Sequence, residues 1–330
     1  MTAVIFDARW LGDHGIGRFA HQVYRSFPDL TPFNVKRRPF HPFDPWLLGS
    51  ALRGLHAERY FSPGYNSPAA WNGHFVFTLH DLNHLKVTDN SNALKRAYYQ
   101  YVIKPACHRA DFVLTISEYA RNEILDWSKA GTDRIVNVGN GVGLPFCSEG
   151  ARFQPGFPYF VYVGSQKANK NLPRLLEAYA QSGAKGEIRL VMTGAPEAPL
   201  SLEIQRLGLS QDVVFVGSRT TEELAELYRG ALALMFPSLY EGFGMPPLEA
   251  MACGTPVLTS NVCAIPETVG DAALLIDPRS TEQIADGIRR LANDSALRAN
   301  LREKGLLRAA ESSWEKTAVR IKEILQAMGK

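Results

Sequence analysis

The chain has 330 residues, 45% hydrophobic and 21% charged, with a formal net charge of +3. This is the composition of a soluble globular protein long enough for two domains. No apolar run reaches the roughly 18 residues of a membrane-crossing helix, so no transmembrane segment is expected.

Four cysteines, Cys107, Cys147, Cys253 and Cys263, show no CxxC spacing. They read as reduced thiols of a cytosolic protein, with no zinc site. Charge is uneven: residues 1–155 carry 17 Lys+Arg against 13 Asp+Glu, and the remainder carries 19 against 20. All eight histidines lie between His14 and His108. A basic first half suits an anionic membrane surface or a phosphorylated acceptor, and equally a merely solvated surface.

In chain order, Met1 to Asp7 starts a strand rather than a signal peptide. Strands are predicted at Ala3–Phe6, Phe75–Leu79, Phe112–Thr115 and Ile135–Val138. In the second half they are predicted at Tyr159–Val163, Arg189–Thr193, Val213–Val216, Ala233–Phe236, Pro256–Thr259 and Ala273–Ile276. These near-continuous apolar runs are the pattern of parallel strands buried on both faces. Helical patterns separate them. Thr220 with Glu223 makes a capping box before the apolar face of Glu222–Ala231. Ser280 with Gln283, and Ser312 with Glu315, mark two more helix starts. Alternating β and α implies doubly wound α/β layers. The Gly/Pro-containing stretch Ser148–Pro158 sets the expected boundary. The expectation is two Rossmann-like parallel-sheet domains facing across a cleft: 1–155, 156–311, and a terminal segment 312–330 with the helix Trp314–Gln326.

The segment Glu241 to Glu249 reads Glu-Gly-Phe-Gly-Met-Pro-Pro-Leu-Glu. Pro246 and Pro247 mark the first turn of a helix, where a missing N–H costs nothing. Free N–H groups at a helix start attract anions. Carboxylates accept hydrogen bonds from vicinal hydroxyls. Two acids beside such a helix start therefore suit a ligand with hydroxyls and phosphates, a sugar nucleotide. An isolated pair of acids is more often a solvated loop acid and a helix-dipole acid, but the run from Pro237 to Val257 is far more specific than a pair.

This run resembles the Glu-x7-Glu motif of retaining glycosyltransferases of family 4, which have the GT-B architecture and include bacterial mannosyltransferases of surface polysaccharide and O-antigen synthesis. The resemblance covers nearly the whole chain and is strongest from Tyr159 to Pro278. It implies that Glu241 binds sugar hydroxyls and Glu249 the ribose. The amides of Gly242, Phe243 and Gly244 would hold the sugar and phosphate. Gly15 and Gly17 match two positions of the family's Gly-Gly-x-Gly-Arg loop, which faces donor diphosphate and acceptor, with His14 where the first glycine often lies. His80, at the end of a strand, matches a histidine that touches the transferred sugar; Asp81 follows it. Lys170 matches the basic residue that binds the diphosphate. Many relatives add an arginine nearby, where this chain has Ser165, after Gly164, or Asn169. Lys167 and Arg18 are the candidates to supply that second charge. Gly217 and Ser218 lie where relatives meet the nucleobase, Ser260 and Asn261 near base or sugar, and Glu267 reads as structural. In the terminal helix, the family crosses back onto the first domain.

The implied activity is transfer of a hexose, with mannose from GDP-mannose as the leading donor, to a glycan hydroxyl with retained configuration. The acceptor is expected to be a glycan on a lipid carrier at the cytoplasmic membrane face. Basic and aromatic residues mixed over Asn92–Ala110 suit a peripheral membrane contact, and equally a helix packed by its tyrosines. Lys36-Arg37-Arg38 is too short to decide anything. Asp-x-Asp is absent, so no essential metal and no cofactor are expected, and no nucleic acid. Two alternatives stay open: a UDP- or dTDP-dependent glucosyl- or deoxyhexosyltransferase, and a non-catalytic sugar-nucleotide-binding subunit of a polysaccharide assembly complex.

Overall fold

The structure is a computed structural model that describes residues 3–12, 15–35, 39, 41–87 and 91–330. Contacts divide the chain into two units. The first is Met1–Gly141 with Trp314–Lys330, and the second is Val142–Ser313.

The first unit carries a six-stranded parallel sheet in the order β2-β1-β3-β4-β5-β6. Its strands are β1 (Val4–Asp7), β2 (Thr31–Phe33), β3 (Arg59–Ser62), β4 (His74–Thr78), β5 (Phe112–Thr115) and β6 (Ile135–Asn137). Successive side chains alternate between faces. Tyr60, Phe75 and Phe77 therefore join one buried cluster with Leu52, Ile103 and Ile124. Phe6 and Phe61 point to the other face, 5.7 Å apart between ring centroids. There the Gly15–Ser26 helix meets the terminal helix Trp314–Ala327, with Phe19 and Trp314 6.3 Å apart.

The second unit repeats the architecture in the order β12-β11-β10-β7-β8-β9. Its strands are β7 (Tyr159–Tyr162), β8 (Arg189–Met192), β9 (Val213–Phe215), β10 (Ala233–Phe236), β11 (Val257–Ser260) and β12 (Leu274–Ile276). Every residue of β7, β10 and β11 is buried, as parallel strands covered on both faces must be. The Thr220 capping box is present. Its hydroxyl accepts from the Glu223 amide at 3.2 Å, and the Glu223 carboxylate accepts from the Thr220 amide at 2.8 Å.

The structure departs from the sequence reading in four places. It contains β2 and β3, which periodicity did not reveal. β2 is three residues with a central proline, tolerated because the strand is an edge that pairs only with β1. β3 is four residues whose buried rings alternate between faces, so no apolar run announces it. The division falls at 141/142 rather than 155/156, because the Gly/Pro stretch packs on the second unit. Arg229 donates to the carbonyls of Pro145, Cys147 and Ala151, and Phe146 packs edge-on against Tyr228. Finally, the terminal helix begins at Trp314, so Ser313, not Ser312, precedes it.

Candidate functional site

In an open parallel sheet, ligands meet the strands' C-terminal ends where the chain order reverses direction. In the second sheet the chain leaves β7 toward β8 and β9 and returns on the other side as β10. The reversal lies between β7 and β10. The loops after these two strands carry Lys170 and Glu241.

Lys170 Nζ donates to Glu241 Oε1 at 2.6 Å. The two side chains are only 15% and 14% exposed, so the pair is largely shielded from solvent. The ammonium also stands 5.0 Å from the Phe236 ring centroid, a favourable cation–π position. Ser238 Oγ lies 2.5 Å from Glu241 Oε1 and 2.8 Å from the Asn169 carbonyl; its one proton serves either acceptor. Thus both residues that the resemblance placed on a donor are brought together, and in this structure each holds the other.

The loops are locked from below. Asn169 Nδ2 donates to the Tyr240 carbonyl at 3.1 Å, and the Leu239 amide donates to the Asn169 carbonyl at 2.7 Å. Asn171 adopts φ +60°, a left-handed conformation that asparagine tolerates better than most residues. It donates to Pro237 and Pro278 carbonyls at 3.0 and 2.7 Å. Ser260 Oγ donates to the Ser238 carbonyl at 2.5 Å, which joins the end of β11 to the same loop. Asn171 and Ser238 were given no role from sequence, and Asn169 was noted only as the place of a missing arginine; small polar side chains beside a charged pair carry no distinctive spacing.

Gly244 closes the 241–244 loop at φ +111°, and a Cβ there would stand 2.7 Å from Ile265 Cδ1. Only glycine meets both demands. The Met245–Ala252 helix follows, with prolines in its first turn. The Glu241 carbonyl accepts from the Ala264 amide at 3.4 Å, and the Phe243 carbonyl from Thr268 Oγ1 at 2.6 Å. A trans peptide sets N–H opposite C=O, so these bonds turn the Gly242 and Gly244 amides away from Thr268 and Ala264. Glu249 is fully buried, and Tyr228 donates its hydroxyl to Oε2 at 3.1 Å. The expected accessible acid at a helix start is thus an enclosed one, because the helix packs Leu248, Ala250 and Met251 into the core.

The remaining candidates of this unit lie nearby or apart. Gly164 follows β7 at φ +153°, and a Cβ would stand 2.7 Å from the Tyr162 hydroxyl. That hydroxyl donates to the Ser165 carbonyl at 2.6 Å. Burial, reinforced by the Glu241 charge, raises the Tyr162 phenol well above its usual range, so it stays a neutral donor. Ser165 and Lys167 are exposed. Gly217 accepts from the Gly194 amide at 2.8 Å after β9, two strands from β7, so the fold does not set it beside the Lys170–Glu241 pair. Ser218 and Asn261 are exposed, and the Glu267 carbonyl accepts from Arg308, a structural contact.

The other candidates belong to the first unit. His14 and Lys36-Arg37-Arg38 lie outside the described residues. Gly15 is exposed, whereas Gly17 is buried against the Gly12 backbone; a Cβ there would stand 2.1 Å from the Gly12 oxygen. Arg18 is half-buried on the same helix. His80 Nε2 lies 2.9 Å from the Pro63 carbonyl, and its ring meets Phe19 edge-on at 5.0 Å. Nε2 is therefore the protonated nitrogen in this tautomer. Asp81 accepts from the Asn83 amide at 2.9 Å. His84 Nδ1 lies 3.0 Å from the Tyr99 hydroxyl.

A buried ionic network, unassigned from sequence, lies under these loops. Arg9 grips Asp7 and Asp44 at 2.6–3.1 Å, with 2% of its side chain exposed and none of theirs. Burial opposes the Arg9 charge, but the hydrogen bonds it donates to Asp7 and Asp44 outweigh it and raise its pKa. Tyr60 donates to Asp7 at 2.7 Å, and Asn66 Nδ2 to Asp44 at 2.7 Å. Asp-Ala-Arg after the first strand and Asp-Pro at a helix start were its only sequence traces. Among the described residues no cluster of three or more His, Cys, Asp or Glu is arranged to hold a metal, and no helix is long and apolar enough to cross a membrane.

The chain is similar to known proteins along nearly its whole length. The profile described as "Glycosyltransferase Family 4" matches residues 5–144, and "Glycosyl transferases group 1" matches residues 148–308. "O-antigen chain mannosyltransferase B" of Escherichia coli is 29% identical over 82% of this chain and 77% of its own length. "Serotype-specific mannosyltransferase WbdA" of Escherichia coli is 31% identical over 64% of this chain, which spans only 28% of that longer protein. Among solved structures, a sucrose-phosphate synthase from Thermosynechococcus elongatus superposes with a TM-score of 0.79 at 19% identity, over 99% of both chains. With the two profiles spanning nearly all of the sequence and two doubly wound parallel sheets beneath them, the chain belongs to the family 4 glycosyltransferases and has the GT-B fold.

Proposed function

We propose that this enzyme transfers mannose from GDP-mannose to a hydroxyl of a lipid-linked glycan in bacterial O-antigen or related polysaccharide synthesis, with retention of configuration. Both curated relatives described above are named mannosyltransferases. The observation that carries the reading is the Lys170–Glu241 pair at the reversal point of the second sheet, beside the 241–244 loop. A shielded ammonium and carboxylate at 2.6 Å match a ligand that offers an anion and hydroxyls together.

Donor binding is then an exchange of partners. The diphosphate takes the Lys170 ammonium, and the released Glu241 carboxylate accepts hydrogen bonds from sugar hydroxyls. The Gly242 and Gly244 amides complete the anion site. In the reaction the bond from C1 to the diphosphate oxygen breaks as the acceptor oxygen bonds to C1 on the same face. The acceptor's proton passes to the departing diphosphate. Lys170 stabilises the charge that develops, and preorganised donors of this kind contribute roughly 10²–10³-fold each. His80 contacts the transferred sugar. Glu249 is assigned to the ribose, which requires its carboxylate to exchange the Tyr228 hydroxyl for ligand. No metal takes part. The protein works at the cytoplasmic membrane face, in peripheral contact through its first unit.

The test is nucleoside diphosphate release and thermal stabilisation across GDP-, UDP- and dTDP-sugars, with and without chelator. GDP-mannose should stabilise the protein, turn over with chelator present and yield an α-linked product. Lys170→Ala should lose about 10²–10³-fold in turnover with the fold intact. Near-wild-type turnover would remove Lys170 from the mechanism, and an unchanged donor KM in Glu249→Gln would remove Glu249. Stabilisation by another donor corrects the sugar. Donor binding that never turns over with lipid-linked acceptors makes the protein a binding subunit, and no stabilisation by any donor ends the reading.

A further inference from the structure

Glu241 is held by one of its two carboxylate oxygens. Lys170 Nζ donates to Oε1 at 2.6 Å, and Ser238 Oγ lies 2.5 Å from the same Oε1. Oε2 has no hydrogen-bond partner among the described residues. The Tyr162 phenol is no rival donor. Its proton goes to the Ser165 carbonyl at 2.6 Å, and burial, then the Glu241 charge, keep it neutral. Donor binding takes Lys170 from Glu241, and the carboxylate then stands without its cation in a loop where its side chain is 14% exposed. A shielded carboxylate in that state is costly unless other donors meet it. Ser238 is a donor already in place.

The serine oxygen is fixed while its proton is not. Ser238 is buried, two positions beyond the end of β10. Its own carbonyl accepts from Ser260 Oγ at 2.5 Å, and the Pro237 carbonyl before it accepts from Asn171 Nδ2 at 3.0 Å. These bonds pin the backbone on either side of its Cα. From there Oγ stands 2.8 Å from the Asn169 carbonyl and 2.5 Å from Glu241 Oε1. A hydroxyl proton turns about the C–O bond to suit its acceptor. One proton therefore reaches either oxygen with no heavy atom moving. The Asn169 carbonyl does not depend on it, because the Leu239 amide donates there at 2.7 Å.

While Lys170 neutralises Oε1, the hydroxyl is able to serve the Asn169 carbonyl. Once the ammonium leaves, the bare charge on Oε1 draws the proton, because a hydrogen bond to an ionised acceptor is roughly twice as strong as one to a neutral acceptor. We propose that Ser238 is the positioning residue that keeps Glu241 aimed when Lys170 turns to the diphosphate: its hydroxyl holds Oε1, and Oε2 is presented to the sugar hydroxyls. The role rests on the transferase reading. Ser238 itself touches no ligand; it acts through the Glu241 carboxylate.

The test is a double-mutant cycle in the full-length protein: wild type, Ser238→Ala, Glu241→Ala and both together. Calorimetry reads the binding of free nucleoside diphosphate, and a release assay reads turnover of the sugar nucleotide. Ser238→Ala should weaken diphosphate binding and lower turnover, each about tenfold, the scale of one hydrogen bond to a charged group. Added to Glu241→Ala it should change neither, because the carboxylate it holds is gone. A serine that merely braces the loop would cost the same in both backgrounds. Should Ser238→Ala not fold, Ser238→Cys, whose thiol is only a weak donor, carries the same comparison. Wild-type behaviour of the serine variant, or an equal loss in the Glu241→Ala background, overturns the role. A wild type that binds neither sugar nucleotide nor diphosphate would end the transferase reading and this role together. Turnover by the wild type that Ser238→Ala matches would end this role alone.

Discussion

Lys170 and Glu241 neutralise each other at 2.6 Å in a largely shielded loop. A ligand must therefore compete with an existing ion pair, and the two sides of the pair predict opposite effects. Glu241→Gln removes the competitor for Lys170 but also the acceptor for sugar hydroxyls. The free nucleoside diphosphate should bind about five- to tenfold tighter to this variant, the scale of a partly exposed ion pair. Sugar transfer should fall by roughly 10². Calorimetric titration of the diphosphate beside a turnover assay checks both. Weaker diphosphate binding in Glu241→Gln would mean that Glu241 positions Lys170 rather than competing for it.

At the scale of elements, the Asp7–Arg9–Asp44 network ties the end of β1 to the start of the Asp44–Gly54 helix. Two buried carboxyl groups face one guanidinium. Asp44 is the first residue of its helix, and the helix N-terminus favours an acid there. Arg9 also lies 5.2 Å from the Phe33 ring, which packs β2 against the same group. Asp44→Ala should cost about 3–5 kcal/mol, the scale of a broken buried pair. Urea unfolding read by circular dichroism measures it. A loss below about 1 kcal/mol would mean that Arg9 and Asp7 satisfy each other without Asp44.

At the scale of the whole molecule, the chain enters the second unit at 141/142 and leaves it at 313/314. The two ends of that unit meet: Val142 and Ser313 form a parallel bridge, and the Val142 amide donates to the Ser312 carbonyl at 2.9 Å. The unit is thus closed at its own termini. The first unit is discontinuous. Its terminal helix buries Ile321 and Thr317, its Leu325 and Met328 carbonyls accept from Arg59, and the Gly329 amide donates to Asp111 at 3.2 Å. An excised fragment 142–313 should melt in one cooperative transition and keep the donor-induced thermal shift. A fragment 1–141 without 314–330 should show neither a sharp melt nor protected amides. A non-cooperative melt of 142–313 would mean that its fold depends on the first unit.

Ten of the twelve strands, the doubly wound class and the Glu241–Glu249 loop were legible in the linear sequence. Parallel strands buried on both faces must be apolar throughout, and a glycine at positive φ beside paired prolines leaves a local signature. β2 and β3 were not legible, because β2 has a central proline and β3 sets only Tyr60 and Phe61 between Arg59 and Ser62, so neither forms an apolar run. The same division runs through the sites. The sequence by itself determined which residues carry charge at the loop after each strand. Only the tertiary structure decided that Lys170 and Glu241 hold each other, that Glu249 is enclosed against Tyr228, and that Asp44 joins Arg9 and Asn66 in one buried network. Those outcomes depend on groups 21 to 71 positions apart in the chain, and on the burial that makes an unpaired polar group there costly.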